Sequence, residues 1–352
     1  MNGAIDEIIG RQPFESDPEL FERAMMECFS FHYEHCELYR EFCDRRAERL
    51  TDIPHIFVPV LKRYPLLSVD EAEVMLTLTS SGTTGERTKL FLNRGTLENL
   101  RTIAEKVYGG MGLVNKTERV NYLCFTYDPD HAKDIGTAWS DKNNLTFTEV
   151  NDVFYALKWS GRGFYFDKKG AIECLRRYSE ERLPVRILGF PAYMVKTLKT
   201  FSELYGSVDL GEHSFVLPGG GWKGKRKEMR KDRFRTMIRD VTGIPKENVR
   251  DCYGLAEHGV PYVECERGNM HVPVYSEARI IDPITLEESS EGLLHLMTPY
   301  NLTSPYLSIL TTDYAILKDG CACGIDRPYI EIQGRAGVKK YAGCAISALQ
   351  YL

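Results

Sequence analysis

From about residue 74 the sequence alternates between short β-rich apolar runs and helix-compatible stretches, and this alternation restricts the fold more than any other feature. Residues 74–81, 119–127 and 185–190 are dense in Val, Leu, Ile, Tyr and Phe and read as buried strands. Between them, residues 96–111 and 169–181 carry apolar side chains at helical spacing. Strands that alternate with helices need crossover connections, which predicts an α/β architecture with mixed, largely parallel sheets flanked by helices. After residue 260 the runs shorten and turn residues intervene (278–283, 292–298, 314–320), which predicts a small antiparallel β subdomain. Upstream, residues 16–50 read as one helix opened by Asp17 and Pro18, with Leu20, Phe21, Met25, Cys28, Phe29 and Tyr33 recurring on one side. The expected organisation is an N-terminal helical segment (1–70), an α/β core (71–260), a β-rich subdomain of that core (261–335) and a short tail (336–352). No internal repeat or low-complexity segment interrupts it.

Charge and cysteine usage narrow the function classes. The 45 basic and 50 acidic residues leave −5 at pH 7, which offers no global basic field for nucleic acid or anionic lipid. No apolar run approaches the roughly 20 residues that a membrane-spanning helix needs. The start of the chain lacks a charged-then-apolar signal segment, so a cytoplasmic location is expected. Ten cysteines in such a chain are expected to be reduced, serving core packing, metal binding or catalysis. Cys28, His32, His35, Cys36 and Cys43 sit at helical spacing, which suits either a metal site or an amphipathic core face. The aromatic crowd of Phe29, Phe31, Tyr33 and Tyr39 favours the core face. The basic stretch 222–240 likewise suits a solvated helix face plus a loop, or contact with a phosphate or an acidic partner.

Five segments carry chemistry. Ser80-Ser81-Gly82-Thr83-Thr84-Gly85, with Lys89 beyond it, follows an apolar run and precedes a polar, helix-compatible stretch. Its glycines permit tight turns, and its hydroxyls and amides can ring a polyphosphate, although no Gly-Lys-Ser/Thr closes it in the Walker manner. Gly219-Gly220-Gly221 follows a strand-like run and lets a flat ligand approach the backbone. In Asp251–His258, a strand-like entry ends at Tyr253-Gly254. Glu257 there suits a divalent cation, and His258 suits a further polar contact or a metal. Asp313 ends an apolar run, where it can accept hydrogen bonds from ribose hydroxyls, and Arg335 offers a cation 22 residues on.

Taken in order, a Ser/Thr/Gly loop, a glycine turn, Tyr-Gly-x-x-Glu, Thr-x-Asp and Gly-Arg resemble the adenylate-forming superfamily of acyl-CoA synthetases, luciferases and peptide-synthetase adenylation domains. The resemblance spans about residues 75–337. It implies attack of a carboxylate on ATP to give an acyl adenylate and pyrophosphate. By position it implies that Ser80 to Gly85 hold the phosphates and that Gly219 to Gly221 line the adenine and acyl pocket, with Tyr253 against the base. Glu257 would bind Mg²⁺, Asp313 the ribose and Arg335 the ribose or phosphate.

Two departures narrow the branch. Gly85-Glu86-Arg87-Thr88-Lys89 replaces the superfamily's usual Gly-x-Pro-Lys, which leaves the place of Lys89 open. Only residues 336–352 follow Arg335, so the lid domain that carries a catalytic lysine in typical members is expected to be missing or vestigial, with Lys339 or Lys340 as its substitute. The short chain, Gly-Gly-Gly-Trp-Lys before a basic helix, Ala-Glu-His-Gly and a terminal Gly-Cys-Ala resemble the acyl-protein synthetase (LuxE-type) family. That resemblance implies activation of a long-chain fatty acid, transfer to a cysteine near the C-terminus, here Cys344, and delivery to a partner acyl reductase (LuxC-type). Lys339 and Lys340 would favour the Cys344 thiolate; a buried tail cysteine is the plain alternative. Two other functions stand beside this one: a ligase passing its adenylate to coenzyme A or a carrier-protein thiol, and a non-catalytic nucleotide-binding subunit of a reductase complex.

The remaining thiols raise a metal question. Cys321 and Cys323 form a tight pair on a turn, and Cys265 follows His258 by seven residues. Similar cysteines in phenylacetate-ligase-like relatives imply a structural zinc on His258, Cys265, Cys321 and Cys323, with His271 as the substitute ligand. Reduced cysteines packed near the active site are the alternative.

Overall fold

The computed structural model describes residues 3–79, 89–114, 116–132, 142–220 and 229–335. The first part is mainly helical: α1 (Ala4–Gly10), α2 (Pro18–His35), α3 (Glu37–Phe42), β1 (Ile56–Phe57), α4 (Val58–Leu61), β2 (Leu76–Thr79), β3 (Lys89–Leu92) and α5 (Arg94–Gly110). The middle alternates: β4 (Arg119–Tyr127), β5 (Glu149–Trp159), β6 (Phe164–Phe166), α6 (Lys168–Glu181), β7 (Val185–Gly189), α7 (Pro191–Tyr205), β8 (Phe215–Pro218) and α8 (Lys231–Thr242). The remainder is β: β9 (Cys252–Tyr253), β10 (Tyr262–Val263), β11 (Met270–His271), β12 (Glu277–Ile281), β13 (Glu291–Met297), β14 (Ser308–Lys318) and β15 (Tyr329–Arg335). By contacts the chain forms two compact units. One comprises Met1–Gly110, Gly254–Tyr262 and Asn269–Leu352, the other Met111–Tyr253 and Val263–Gly268. Among the described residues no helix is long and apolar enough to cross a membrane.

The second unit is the α/β body that the alternation predicts. Its sheet runs β6-β5-β4-β7-β8; β5, β4, β7 and β8 are mutually parallel and β6 pairs antiparallel at one edge. β4 is buried almost throughout and β7 entirely, because helices cover the sheet and leave no polar face to alternate with. Leu123, Phe125, Ile187 and Val216 meet Leu175 and Tyr178 of α6, Leu198 and Phe201 of α7, and Phe234 and Ile238 of α8. Each such side chain contributes about 1.5–3 kcal/mol when fully buried. The basic stretch resolves into an amphipathic helix over its described part: α8 turns Phe234, Ile238 and Val241 inward.

The first unit is built on a six-stranded sheet in the order β11-β15-β14-β13-β12, antiparallel throughout, with β1 added parallel to β14. β13 and β14 pair from Glu291↔Ile316 to Met297↔Ser308, with a shift between Leu293 and His295. β14 and β15 pair from Asp313↔Arg335 to Lys318↔Tyr329, with an irregularity between Tyr314 and Ala315.

Two local expectations need correction. The single helix expected over 16–50 is two helices. Asp17 caps α2 by accepting from the Leu20 amide at 3.1 Å, with Pro18 in the first turn as anticipated. The chain then turns extended at Cys36 and again at Cys43. Buried Cys28, His32, Cys36, Tyr39 and Cys43 keep helical spacing across the break, so periodicity could not report it. The run at 74–81 is not a buried parallel strand either. β2 pairs antiparallel with β3, from Leu76↔Leu92 to Thr79↔Lys89, and Thr77 is exposed where Leu78 is buried. A ribbon covered on one face alternates in this way.

The cysteines of α2 and α3 belong to the core. Cys28 is fully buried and its thiol is pushed well above its ordinary range by that burial. His32 accepts from the Ser68 hydroxyl at Nδ1 (2.7 Å) and donates from Nε2 to the Asn301 carbonyl (2.8 Å). Burial brings its pKa down to about 4, so it is a neutral core imidazole satisfied at both nitrogens. His35 is exposed.

Candidate active site and Cys/His cluster

In the parallel unit, the chemistry-bearing residues sit where parallel strands end. β7 finishes at Gly189 and β8 at Pro218, and the Gly219 amide donates to the Gly189 carbonyl at 2.8 Å. Gly189 has φ +105°, and a Cβ there would lie 2.6 Å from the Phe125 carbonyl oxygen. At Gly220, φ is +67° and a Cβ would collide with the Phe190 ring. Both positions need glycine, and together they leave a bare backbone edge at the carboxyl ends of the strands, where open α/β sheets bind ligands. Phe190 and Tyr193 start α7 beside this edge, and the Phe190 ring meets Tyr127 at 5.6 Å between centroids. Gly221 lies outside the described residues.

The segment leading to Tyr253 is held by a carboxylate that the motif search missed. Glu264 is fully buried and accepts from Lys231 Nζ, from Arg235 Nη2 (2.6 Å) and from the Asp251 amide (2.7 Å). A buried charge so paired and hydrogen-bonded fixes the backbone it touches. The Arg250 amide adds a bond to the Val216 carbonyl, tying the same stretch to β8. A lone Glu in a short strand-like run carries no sequence signal for this role. Asp251 is half-exposed, and its carboxyl is raised above the usual range, mainly by burial.

In the antiparallel unit, Asp313 and Arg335 are Cα partners across β14 and β15, and Arg335 Nε lies 3.4 Å from Asp313 Oδ1. Strand register therefore brings together two residues 22 apart in the chain. Asp313 is buried and Arg335 exposed, so the pair presents a held carboxylate with a cation at its rim. Glu257 lies in the turn after Gly254 and is buried. Its neighbour His258 is fully buried, with Nε2 2.9 Å from Tyr262 Oη and 3.1 Å from Ser276 Oγ. Burial takes its pKa down to about 3. Lys89 is exposed at the start of β3. That strand, rather than a helix, opens at Lys89, and α5 begins only at Arg94. Ser80, Ser81, Gly82, Thr83, Thr84 and Gly85 lie outside the described residues, as do Lys339, Lys340 and Cys344.

Of the two histidines expected near these thiols, the structure brings the substitute, His271, to the Cys321–Cys323 pair. Sγ of Cys321 and Cys323 and a ring nitrogen of His271 lie within 4.8 Å of one another. His258 is not in this group; its ring is engaged with Tyr262 and Ser276. His271 Nδ1 is 2.8 Å from the Arg327 carbonyl, and Nε2 is 3.2 Å from Cys323 Sγ. Burial alone would raise the Cys321 thiol. Hydrogen bonding, led by the Asn269 side-chain amide that donates to Sγ at 3.0 Å, outweighs that and brings it down to about 6.

Comparison with known families decides what frame these residues belong to. Residues 4–352 match the family model described as "Acyl-protein synthetase, LuxE". The chain belongs to the acyl-protein synthetase (LuxE) family. It is thereby an enzyme that ligates an acyl group to protein. Relatives within this family include the long-chain-fatty-acid–luciferin-component ligases of Vibrio harveyi and Aliivibrio fischeri. The first is 25% identical over 355 residues (96% of this chain, 89% of the relative), the second 24% over 350 residues (95% and 89%). Among solved structures, a 2-hydroxyisobutyryl-CoA ligase with its acyl adenylate and coenzyme A superposes at TM-score 0.67 and 15% identity, covering 94% of this chain and 78% of that one. The McyG adenylation–carrier protein with phenylalanyl-adenylate gives TM-score 0.52 at 12% identity, covering 78% and 43%. At such identities these neighbours show the fold alone. The LuxE-family chain is folded as an adenylate-forming ligase.

Proposed function

We propose that the protein activates a long-chain fatty acid with ATP and then carries the acyl group on its own Cys344. The observation that supports this most is the acyl-protein synthetase match over nearly the whole chain, carried on an adenylate-forming fold. In the first step a carboxylate oxygen attacks the α-phosphorus of ATP, forming acyl adenylate as pyrophosphate leaves. In the second, the Cys344 thiolate attacks the acyl carbonyl carbon, forming a thioester as AMP leaves.

Within this reading Asp313 accepts from the ribose hydroxyls and Arg335 meets the ribose or phosphate. The buried Asp313 carboxylate and the exposed guanidinium beside it suit a sugar on one side and an anion on the other. Gly219, Gly220 and Gly221 take the adenine and acyl portions with Tyr253 against the base; the bare glycine edge suits a flat group. Glu257 holds Mg²⁺, which supplies charge neutralisation of the phosphates, and a carboxylate is the right donor type for it. Ser80 to Gly85 and Lys89 hold the phosphates, and Lys339 and Lys340 favour the Cys344 thiolate. The tail 336–352 delivers the thioester to a partner acyl reductase. Zinc, the other cation of the reading, takes no part in the acyl chemistry.

The test is intact mass under denaturing, thiol-preserving conditions after incubation with ATP, Mg²⁺ and a panel of fatty acids. The expected result is a hydroxylamine-labile gain of one acyl group mapped to Cys344, lost in Cys344→Ala while pyrophosphate release continues. Glu257→Gln should lower pyrophosphate release at least a hundredfold. Pyrophosphate without retained acyl group would move the acceptor to coenzyme A or a carrier-protein thiol. ATP binding without pyrophosphate would leave a nucleotide-binding subunit.

A further inference from the structure

We propose that Glu264 is a positioning residue for the nucleotide: with Lys231 and Arg235 of α8 it holds the segment 249–253 in register with β8, so that Tyr253 emerges beside Gly219 and Gly220. All of these residues belong to one compact unit. The role rests on the proposed contact of Tyr253 with the adenine.

Strand register supplies the geometry. Val249 bridges Val216 in parallel, and the Arg250 amide donates to the Val216 carbonyl at 2.9 Å. Parallel strands advance at the same rise per residue. Tyr253 and Gly220 each lie four residues beyond the bridge, so the two come level at the carboxyl end of the sheet. Cys252 Sγ, 3.8 Å from the Pro218 carbonyl oxygen, agrees with that alignment. An isolated bridge carries far less backbone pairing than the ladder joining β7 to β8, so side chains must fix the segment.

Glu264 does so with both carboxylate oxygens. Oε1 accepts from Lys231 Nζ, and Oε2 accepts from Arg235 Nη2 at 2.6 Å and from the Asp251 amide at 2.7 Å. The Glu264 amide donates to the Asp251 carbonyl at 3.1 Å, so Asp251 is held at both backbone groups. Arg235 Nε also donates to the Val249 carbonyl at 3.0 Å, and Lys231 Nζ lies 3.4 Å from Asp251 Oδ2. Lys231 and Arg235, at i and i+4, share one face of α8. Two cations and two carboxylates make the cluster neutral, and the Glu264 side chain within it is 1% exposed. Charge-assisted bonds are directional, and removing a buried charge leaves its partners unmatched. Tyr253 follows Asp251 by two residues, so a loosened Asp251 displaces the ring that meets the base.

Full-length wild type and variants would be titrated calorimetrically with Mg²⁺–ATP and, separately, with inorganic tripolyphosphate, which carries phosphates without the base. Glu264→Gln should weaken ATP binding at least tenfold and tripolyphosphate binding less than twofold. In pyrophosphate release it should raise KM for ATP at least tenfold and lower kcat less than threefold. Tyr253→Ala should reproduce the loss for ATP. The Glu264→Gln/Tyr253→Ala double variant should be no weaker than Tyr253→Ala alone, because both act through one contact. Lys231→Gln, at a half-exposed side chain, keeps the test open should Glu264→Gln fail to fold, and should weaken ATP binding alone at least threefold. Equal losses for ATP and tripolyphosphate would show general loosening and overturn the proposal. So would wild-type ATP affinity in folded Glu264→Gln or Lys231→Gln, or additive losses in the double variant. If Tyr253→Ala binds ATP as wild type does, the base contact itself fails and the proposal with it. A loss in Tyr253→Ala without one in Glu264→Gln overturns the proposal alone.

Discussion

The two sheets place functional side chains by different means. In the parallel sheet, the candidate ligand edge is a set of strand ends: Gly189 closes β7, Gly219 and Gly220 follow β8, and α7 starts with Phe190 and Tyr193 beside them. In the antiparallel sheet, the candidate pair is internal to the ladder, Asp313 opposite Arg335. Strand ends are local, so each motif there is contiguous in sequence. Ladder partners are long-range and depend on register, so neither residue announces the other. A parallel edge should therefore fail when its backbone is filled, whereas an antiparallel pair should fail when one partner's chemistry is removed and the backbone is left alone.

The sharpest way to break this contrast is to fill the parallel edge. Gly189→Ala combines a left-handed backbone with a Cβ 2.6 Å from the Phe125 carbonyl, and should cost about 3 kcal/mol or more of stability in denaturant unfolding. A near-neutral result would mean that the edge is not conformationally demanding.

Acid is the next probe, and it addresses the antiparallel unit. Burial lowers the pKa of His32 to about 4 and of His295 to about 3. Both are more easily protonated unfolded than folded, so the neutral-form stability they confer is complete above about pH 6.5 and is lost as pH falls toward 4 and 3. His32 faces Ser68 and Asn301 with His35 nearby; His295 faces Ser308, His55 and Arg279. Together they should remove about 3 kcal/mol or more between pH 7 and pH 4, read by unfolding midpoints. His32→Gln should flatten the profile.

Smaller effects should follow from the ladder pair. Asp313→Asn should raise KM for ATP by tenfold to a hundredfold, about 1.4–2.8 kcal/mol, and shift the unfolding midpoint little. Arg335→Ala should change stability by less than about 1 kcal/mol, because its guanidinium is exposed and screened. Should Arg335→Ala destabilise the fold more than Gly189→Ala, the difference between the two sheets would be reversed.

Much of the architecture was legible from the chain. Crossover spacing anticipated α5, β4, α6 and β7, and the short runs after residue 260 anticipated the antiparallel strands, because these patterns are local in period. The break at Cys36 was not legible, since the buried stripe continues in phase through it. Nor was Glu264, whose importance lies in Lys231, Arg235 and the Asp251 amide converging on it. Of the candidate nucleotide residues, Lys89, Gly219, Gly220, Tyr253, Gly254, Glu257, Asp313 and Arg335 can be placed. Only Asp313 and Arg335 are seen as partners in the ladder.

Cysteine and histidine show where the boundary lies. By itself the sequence determined that Cys28, His32, Cys36 and Cys43 share one helical stripe, that Cys321 and Cys323 share one turn, and that five segments in order resemble those of adenylate-forming enzymes. All of that is geometry within a few residues. Tertiary structure decided that the stripe faces a core whose Ser68 and Asn301 satisfy His32. It decided too that His271, rather than His258, joins Cys321 and Cys323 from 50 residues away, because β11 pairs with β15. A helix repeats its own spacing wherever it packs. Which residues meet across strands depends on register, set by the whole sheet and by the side chains it must bury.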